Sequence, residues 1–265
     1  MLTISLLHAT YQSPTGPRRH RDTWLSHAAS PDRVEYVVAM DDADLRAQTD
    51  TKGMIRAINR PPDTFSTAVQ NWNSAAKLAG GSLLFVISDD LLPSQGWDNQ
   101  LTALVGERDP INDDFAIKVQ DSPNQSDTTL RHPVVSRQFF ERFGLFDDSF
   151  RGVFCDNDIT LRALLYSEII DGRSVIFTHE HPHFDSALSE SVSQQKINRS
   201  EEYEFGRRTF MRKYSPFHIG LGLNELTLPT AKRRSGLLPG VRRAGIKLKG
   251  TFTRVPDSVA RAAKR

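Results

Sequence analysis

One cysteine in 265 residues, Cys155, excludes an internal disulfide framework and a cysteine-rich zinc site. Long apolar runs are missing too: no window approaches the ~20 apolar residues that a membrane-spanning helix needs. The first eleven residues, MLTISLLHATY, carry no basic leader and read as a strand, so a cytoplasmic chain without a secretory signal is expected. No internal repeat is visible. Net charge is also small, +2 from 34 basic and 32 acidic side chains, but its distribution is uneven. Residues 229–265 hold eleven Lys/Arg against one acid, Asp257, a net of +10, leaving residues 1–228 at −8. A basic tail on an acidic body fits contact with a polyanion or an anionic membrane surface, the latter making the protein peripheral at the membrane. It also fits a solvated, helical or partly disordered terminus. The expected division is therefore a domain over 1–228 and a basic tail over 229–265.

What is present is an alternation of strand-like and helix-like segments over the first two-thirds, the pattern of an α/β fold with a mostly parallel sheet. Strands are expected at 3–9, 34–40, 82–88 and 174–178, and helices at 18–30, 64–79, 94–107 and 155–166. Gly80 and Gly81 supply a helix stop, and the polar stretch 121–131 reads as a loop. Residues 188–213 read as one charged helix. The strand at 82–88, SLLFVIS, is too apolar for either face to be exposed, as in the middle of a parallel sheet.

Ligands of open α/β sheets collect at the carboxyl ends of strands. Four expected strands end in reactive chemistry: Thr10–Tyr11, Asp41–Asp42, Ser88–Asp89–Asp90, and His179 with His181. Adjacent acids at a buried strand end repel one another and resist desolvation, so a cation or a set of donors must neutralise them. Mg²⁺ takes oxygen ligands and bridges carboxylates to phosphates, while imidazole with carboxylate suits Mn²⁺. The alternative is that the two Asp residues cap the following turn.

The spacing resembles that of GT-A-fold glycosyltransferases of the family 2 type. Asn73-x-Ala75-x-x-x-Ala79-x-Gly81, six residues, then Ser88-Asp89-Asp90 resembles the family's Asn-x-Gly-x-x-x-Ala-x-Gly helix and Asp-x-Asp strand end. Leu91, Pro93 and Trp97 continue the likeness. VVAMDDAD stands where the family has Val-Asp-Asp-Gly-Ser, and HATY where it has Pro-Thr-Tyr-Asn. FGLFDDSF and CDNDITLR resemble Gly-Gly-Phe-Asp-Glu and Glu-Asp-x-Asp-Leu-x-x-Arg, so the ordered series covers roughly residues 3–185. The compact chain is similar to phage-encoded and small bacterial members.

The resemblance implies a GT-A, Rossmann-like fold and transfer from a nucleoside-diphosphate sugar, a UDP-sugar first among them, with inversion. It implies that Thr10, Tyr11, Asp41, Asp42, Asn73, Ser88 and Asp89 contact the donor. Asp90 would hold Mn²⁺ or Mg²⁺, with His181 as first choice and His179 as second for a histidine ligand, and His183 exposed. Asp156 would be the general base, against the alternative of a helix cap. Asp158 and Arg162 would pair locally, Cys155 and Trp72 would be packing residues, and Trp97 core or the floor of an acceptor pocket. The acceptor could be a saccharide, a lipid carrier, a protein or modified DNA. Three departures stand out: Ser88 for the first acid, Ala75 for Gly, and Cys155 for the Glu before the base. Two further readings are a nucleotidyltransferase, for which SPTGPRRHR (13–21) lacks the right glycines, and a non-catalytic module binding nucleic acid or membrane through its tail.

Overall fold

The computed structural model describes residues 2–60, 67–182 and 184–214. The basic tail, the boundary at 228 and His183 lie outside the described residues.

Seven strands form the central sheet: β1 (Ile4–Ala9), β2 (Val34–Asp41), β3 (Ile55–Asn59), β4 (Leu83–Ser88), β6 (Phe115–Gln120), β7 (Val134–Ser136) and β8 (Glu168–Ile176). Their order is β3-β2-β1-β4-β7-β6-β8. The first four are mutually parallel, as are β6 and β8, while β7 runs antiparallel to both of its neighbours. The two-residue strands β5 (Leu91–Leu92) and β9 (Thr178–His179) pair separately, with Leu91 opposite His179. The connecting helices are α1 (Pro17–His27), α2 (Leu45–Asp50), α3 (Ala68–Leu78), α4 (Trp97–Val105), α5 (Arg137–Phe143), α6 (Cys155–Tyr166), α7 (Val192–Ile197) and α8 (Ser200–Tyr214).

The strand period of two divides the core into two layers. Leu7, Val37, Ala39, Leu84 and Val86 meet Val69, Ala75 and Ala76 of α3 and Ile159 and Ala163 of α6 on one face. Leu6, Val38, Met40, Phe85 and Ile87 meet Trp24 of α1 and Trp97 and Leu101 of α4 on the other. β4 is covered on both sides, which accounts for its unbroken apolar sequence. Trp97 is fully buried, with its ring 5.2 Å from that of Trp24, and so belongs to the core. At the turn from α3 into β4, a Cβ on Gly81 would lie 2.5 Å from Ser5 Oγ and 2.8 Å from Ser5 N, so the turn fits against β1 with glycine there.

Three strands, β3, β6 and β7, were not expected from the sequence, and the other differences are local. The helix expected over 94–107 spans Trp97–Val105, and the charged helix expected over 188–213 is two helices broken around Asn198. The strand expected over 174–178 divides, because β8 ends at Ile176 and β9 begins at Thr178 in the second sheet.

Candidate functional site

The carboxyl ends of β1, β2 and β4 lie together, and β9 brings His179 to the same edge by pairing with the residues that follow Asp90. The two adjacent acids have different partners. Asp89 faces β1: its Oδ1 lies 3.0 Å from His8 Nε2 and accepts from Thr10 Oγ1 at 2.9 Å, and its Oδ2 accepts from the same hydroxyl at 3.2 Å. His8 Nδ1 is 2.5 Å from the Tyr36 hydroxyl, which is 3.0 Å from His20 Nδ1, and His20 Nε2 is 3.2 Å from the carbonyl of Leu91.

A carbonyl can only accept, so this chain has a direction. His20 donates from Nε2, and burial, with His8 beside it, lowers its pKa to about 3, so its Nδ1 is an acceptor. Tyr36 therefore donates to His20 and accepts from His8 Nδ1, and one proton lies between His8 Nε2 and Asp89. Burial raises the Asp89 carboxyl, but the charge of His8 and the bond to it bring it below its ordinary value. Asp89 is neutralised inside the protein.

Asp90 has a different environment. Its Oδ1 accepts from the Ser88 hydroxyl, and its Oδ2 accepts from Gln194 Nε2 at 2.7 Å and lies 3.3 Å from His179 Nε2. Burial raises this carboxyl, and the bond and charge of His179 pull it well below the usual range. The Ser88 hydroxyl is also 2.9 Å from His132 Nε2. One ligand atom from each of Asp90, His132 and His179 falls within 4.8 Å of the others, the spacing of a shared cation. Two observations fit an ion at this point. Ser88 has one proton for two acceptors, Asp90 Oδ1 and His132 Nε2. The buried Nδ1 of His179 has no hydrogen-bond partner among the described residues.

His181 lies outside that group, with its Nε2 3.5 Å from Asn198 Nδ2 and its ring centroid 5.4 Å from that of His179. His132 was not anticipated. It is a single histidine at the end of a polar loop with no neighbouring pattern, and the signal that could have drawn attention to it is FAIKVQD, ending eleven residues earlier, which sets Lys118 in a buried strand and Asp121 just past it.

Asp156 stands in the first turn of α6, half-buried, with Oδ1 accepting from Asn157 N at 3.0 Å. Burial raises its pKa, partly opposed by Arg131. The residue before α6 with helix-cap position, Phe154, has φ 69°, a left-handed conformation rare for an aromatic residue and one that concentrates at functional turns. The loop is held from behind. Asp158, fully buried, accepts from Arg162 Nε at 2.8 Å, Lys213 Nζ at 2.6 Å and the Tyr214 hydroxyl at 2.6 Å. Gly206 of α8 lies so close that a Cβ would sit 2.4 Å from the carbonyl oxygen of Val153. Cys155 is buried, and burial raises its thiol well above the usual value, which suits packing rather than nucleophilic attack.

Thr10 and Tyr11 line a cleft with Thr67 and Asn71 at the start of α3, Arg151, and Lys196 of α7. The Lys196 ammonium lies 3.7 Å from the Tyr11 ring centroid, and burial lowers its pKa to about 8. Asp41 is buried and its Oδ1 accepts from Ala43 N at 2.8 Å, while the more exposed Asp42 pairs with Arg60 Nε at 2.7 Å. Asn73 turns away from the cleft: its amide donates to Phe146 O and Asp148 Oδ1 and accepts from Phe146 N, fastening α3 to the segment after α5. Trp72, partly buried, donates from Nε1 to Ile87 O at 2.9 Å.

No protein-family model matches the chain, and no curated protein does either. Solved structures do. The chain is similar to residues 1–349 of S. aureus TarS in complex with UDP-GlcNAc, with a TM-score of 0.54 and 12% identity over 86% of this chain and 77% of that one. It is similar to the same protein with UDP, with a TM-score of 0.52 and 13% identity over 86% and 76%. It is also similar to the mannosyltransferase PcManGT of Pyrobaculum calidifontis in complex with GDP-Man and Mn²⁺, with a TM-score of 0.52 and 12% identity over 91% and 78%. The mostly parallel seven-stranded sheet, covered by helices on both faces, gives this chain the Rossmann-like α/β fold of the GT-A glycosyltransferases.

Proposed function

We propose that this protein is a metal-dependent, inverting glycosyltransferase that moves a sugar from a nucleoside-diphosphate sugar to an acceptor hydroxyl. The observation that most supports this is the meeting of Asp90, His132 and His179 at the carboxyl end of β4, the edge where open α/β sheets bind phosphorylated ligands. A divalent ion held there would supply a Lewis acid to the leaving diphosphate. The nucleotide would enter the cleft lined by Thr10, Tyr11 and Lys196, with Asp41 and Asp42 at the end of the neighbouring β2 as further contacts.

Asp156 takes the proton of the acceptor hydroxyl. The acceptor oxygen bonds to the anomeric carbon as the bond from that carbon to the diphosphate oxygen breaks, and its electron pair leaves with the nucleoside diphosphate. Attack opposite the leaving group inverts the configuration. A positioned base contributes ~10²–10⁴-fold in rate, and the raised pKa of Asp156 makes it a stronger base than an exposed carboxylate. A UDP-sugar is the first donor to test, Mn²⁺ or Mg²⁺ the ion, and a saccharide, lipid carrier, protein or modified DNA the acceptor. Residues 1–228 would carry the reaction, and the basic tail, outside the described residues, would carry any polyanion or membrane contact. Among the described residues no helix is long and apolar enough to cross a membrane.

The test is a hydrolysis and transfer screen against UDP-, GDP- and TDP-sugars with and without Mn²⁺. Asp156→Asn should bind nucleotide and lose turnover, and EDTA should weaken diphosphate binding. Unchanged turnover in Asp156→Asn removes the base, and indifference to EDTA removes the ion.

A further inference from the structure

Behind the acid–histidine group lies a buried network that the transfer reaction does not itself require. Lys118, in the middle of β6 and 1% exposed, donates from Nζ to Asp121 Oδ1 at 2.6 Å. Asp121, with no exposed surface, lies with Oδ2 3.0 Å from His132 Nδ1 and accepts from His132 N at 3.2 Å. Arg131 stands 4.0 Å from the same carboxylate. A carboxylate and an ammonium in a strand core are costly to desolvate, and a well-packed apolar pair is often as stable or more so. Their presence calls for a role beyond packing.

We infer that Asp121, held by Lys118, fixes His132 as a third metal ligand, so that the site is a two-imidazole, one-carboxylate site selective for first-row transition ions over magnesium. This rests on the reading of Asp90 as the anchor of an ion. Asp121 can only accept from the ring, so Nδ1 carries the proton and the Nε2 lone pair is directed toward Ser88 and Asp90. A carboxylate on the far nitrogen of a ligating imidazole fixes its tautomer and ring plane. Imidazole donors suit iron, nickel, copper and zinc; manganese, the weakest of the first-row series, still accepts nitrogen donors more readily than magnesium, which prefers an all-oxygen shell.

The same distances permit a rival: Ser88, His132 and Asp121 are spaced as nucleophile, base and orienting acid. That reading fails on charge. The Ser88 hydroxyl is also bonded to Asp90, and an oxyanion formed on an acyl group at Ser88 would face that carboxylate rather than donors.

The experiment uses the full chain stripped of metal with chelator and titrated with Co²⁺, Mn²⁺ and Mg²⁺, without nucleotide. Co²⁺ is read by its visible ligand-field absorption and Mn²⁺ by loss of the free-ion EPR signal. Magnesium affinity is read by competition with Mn²⁺. We expect Mg²⁺ to bind at least ~10-fold more weakly than Mn²⁺. His132→Gln should weaken Co²⁺ at least ~10-fold and change its spectrum, and Asp121→Asn should weaken it ~10–100-fold. Because the Asp121 variant could fail to fold, histidine ¹⁵N NMR on the unsubstituted metal-free protein gives an independent reading. His132 should show a protonated Nδ1, and Co²⁺ should broaden its signals.

Equal Mg²⁺ and Mn²⁺ affinity, a wild-type cobalt spectrum in His132→Gln, or a proton on Nε2 of His132 would each overturn the inference. So would covalent capture of Ser88 by a fluorophosphonate. Sugar transfer that proceeds with Mg²⁺ and ignores His132 refutes this inference alone. Cobalt binding through His132 without transfer from any nucleotide-sugar refutes the proposed reaction alone.

Discussion

Replacing Asp158 with alanine should produce a large stability loss for a single charge change. Its carboxylate accepts from the guanidinium of Arg162 on α6 and from the ammonium and phenol of Lys213 and Tyr214 at the end of α8, and is fully buried. Arg162 also donates to the carbonyls of Phe143 and Leu145, at 2.9 Å and 2.6 Å, so this carboxylate joins the end of α5, α6 and α8. Its loss leaves two cations near one another with the shared counter-charge gone, and breaking a buried ion pair from one side costs ~3–5 kcal/mol.

Lys213 moderates the effect. It is 32% exposed and keeps Asp147 as a partner, so the lower half of that range applies. A loss of ~3–4 kcal/mol corresponds to about 6–16 °C in melting temperature for a domain of this size. Urea titration followed by tryptophan fluorescence and far-ultraviolet circular dichroism measures it, with an unchanged m-value confirming a stability effect. Adding Lys213→Met should recover ~1 kcal/mol or more, because the second cation goes with its partner. A loss under ~1 kcal/mol in Asp158→Ala would refute the claim that this carboxylate clamps the Asp156 loop.

Tyr36→Phe removes the link between His8 and His20 and leaves two buried ring nitrogens without partners. At ~1–3 kcal/mol for each unsatisfied group, about 2–6 kcal/mol should be lost in urea titration, against under ~1 if the chain does not exist. Asp156 has a folded pKa above its unfolded one, so ionising it costs stability that is fully lost above the folded value and regained as pH falls from the folded toward the unfolded value. Asp156→Asn should therefore melt no lower than wild type at neutral pH while losing turnover, and the acid limb of wild-type turnover should fall above the range of an exposed Asp; a lower melting point refutes this. Gly206→Ala forces α8 off Val153, three residues before the base, and should cost ~1–3 kcal/mol together with turnover; retention of both by calorimetry and assay counts against the close approach.

Much of the architecture was readable because β1, β2 and β4 are short and dominated by apolar residues, and because α3 and α6 carry clear helical spacing. β6 and β7 were not readable. Lys118 interrupts the first, and the second is three residues long, held by pairing to strands distant in sequence. The same physics limits the site. Asp90 and His179 stand at strand ends, where position alone suggests ligand chemistry. His132 depends on β7 turning back beside β4 and on a carboxylate eleven residues earlier, and neither relation has a local periodic signature. Gln194 reaches Asp90 across 104 positions through a capped short helix, which sequence spacing does not encode.

The adjacency of Asp89 and Asp90 is consistent with two like charges at the end of an apolar strand because each has its own neutralisation. Both oxygens of Asp89 are engaged, by His8 and Thr10, and the chain behind His8 ends on the carbonyl of Leu91, in the strand whose partner is His179. The contacts of Asp90 are to Ser88, His179 and Gln194, side chains that can turn toward an entering cation. The two acids should therefore separate in a single assay. In folded, metal-free protein titrated with Co²⁺, Asp90→Asn should lose at least ~10-fold in affinity, since a charged ligand leaves the ion's first shell. Asp89→Asn should stay within ~3-fold, since the carboxylate it replaces is already committed to an imidazole. Equal losses in the two variants would mean that the ion bridges both carboxylates and that the His8 chain does not set Asp89 apart.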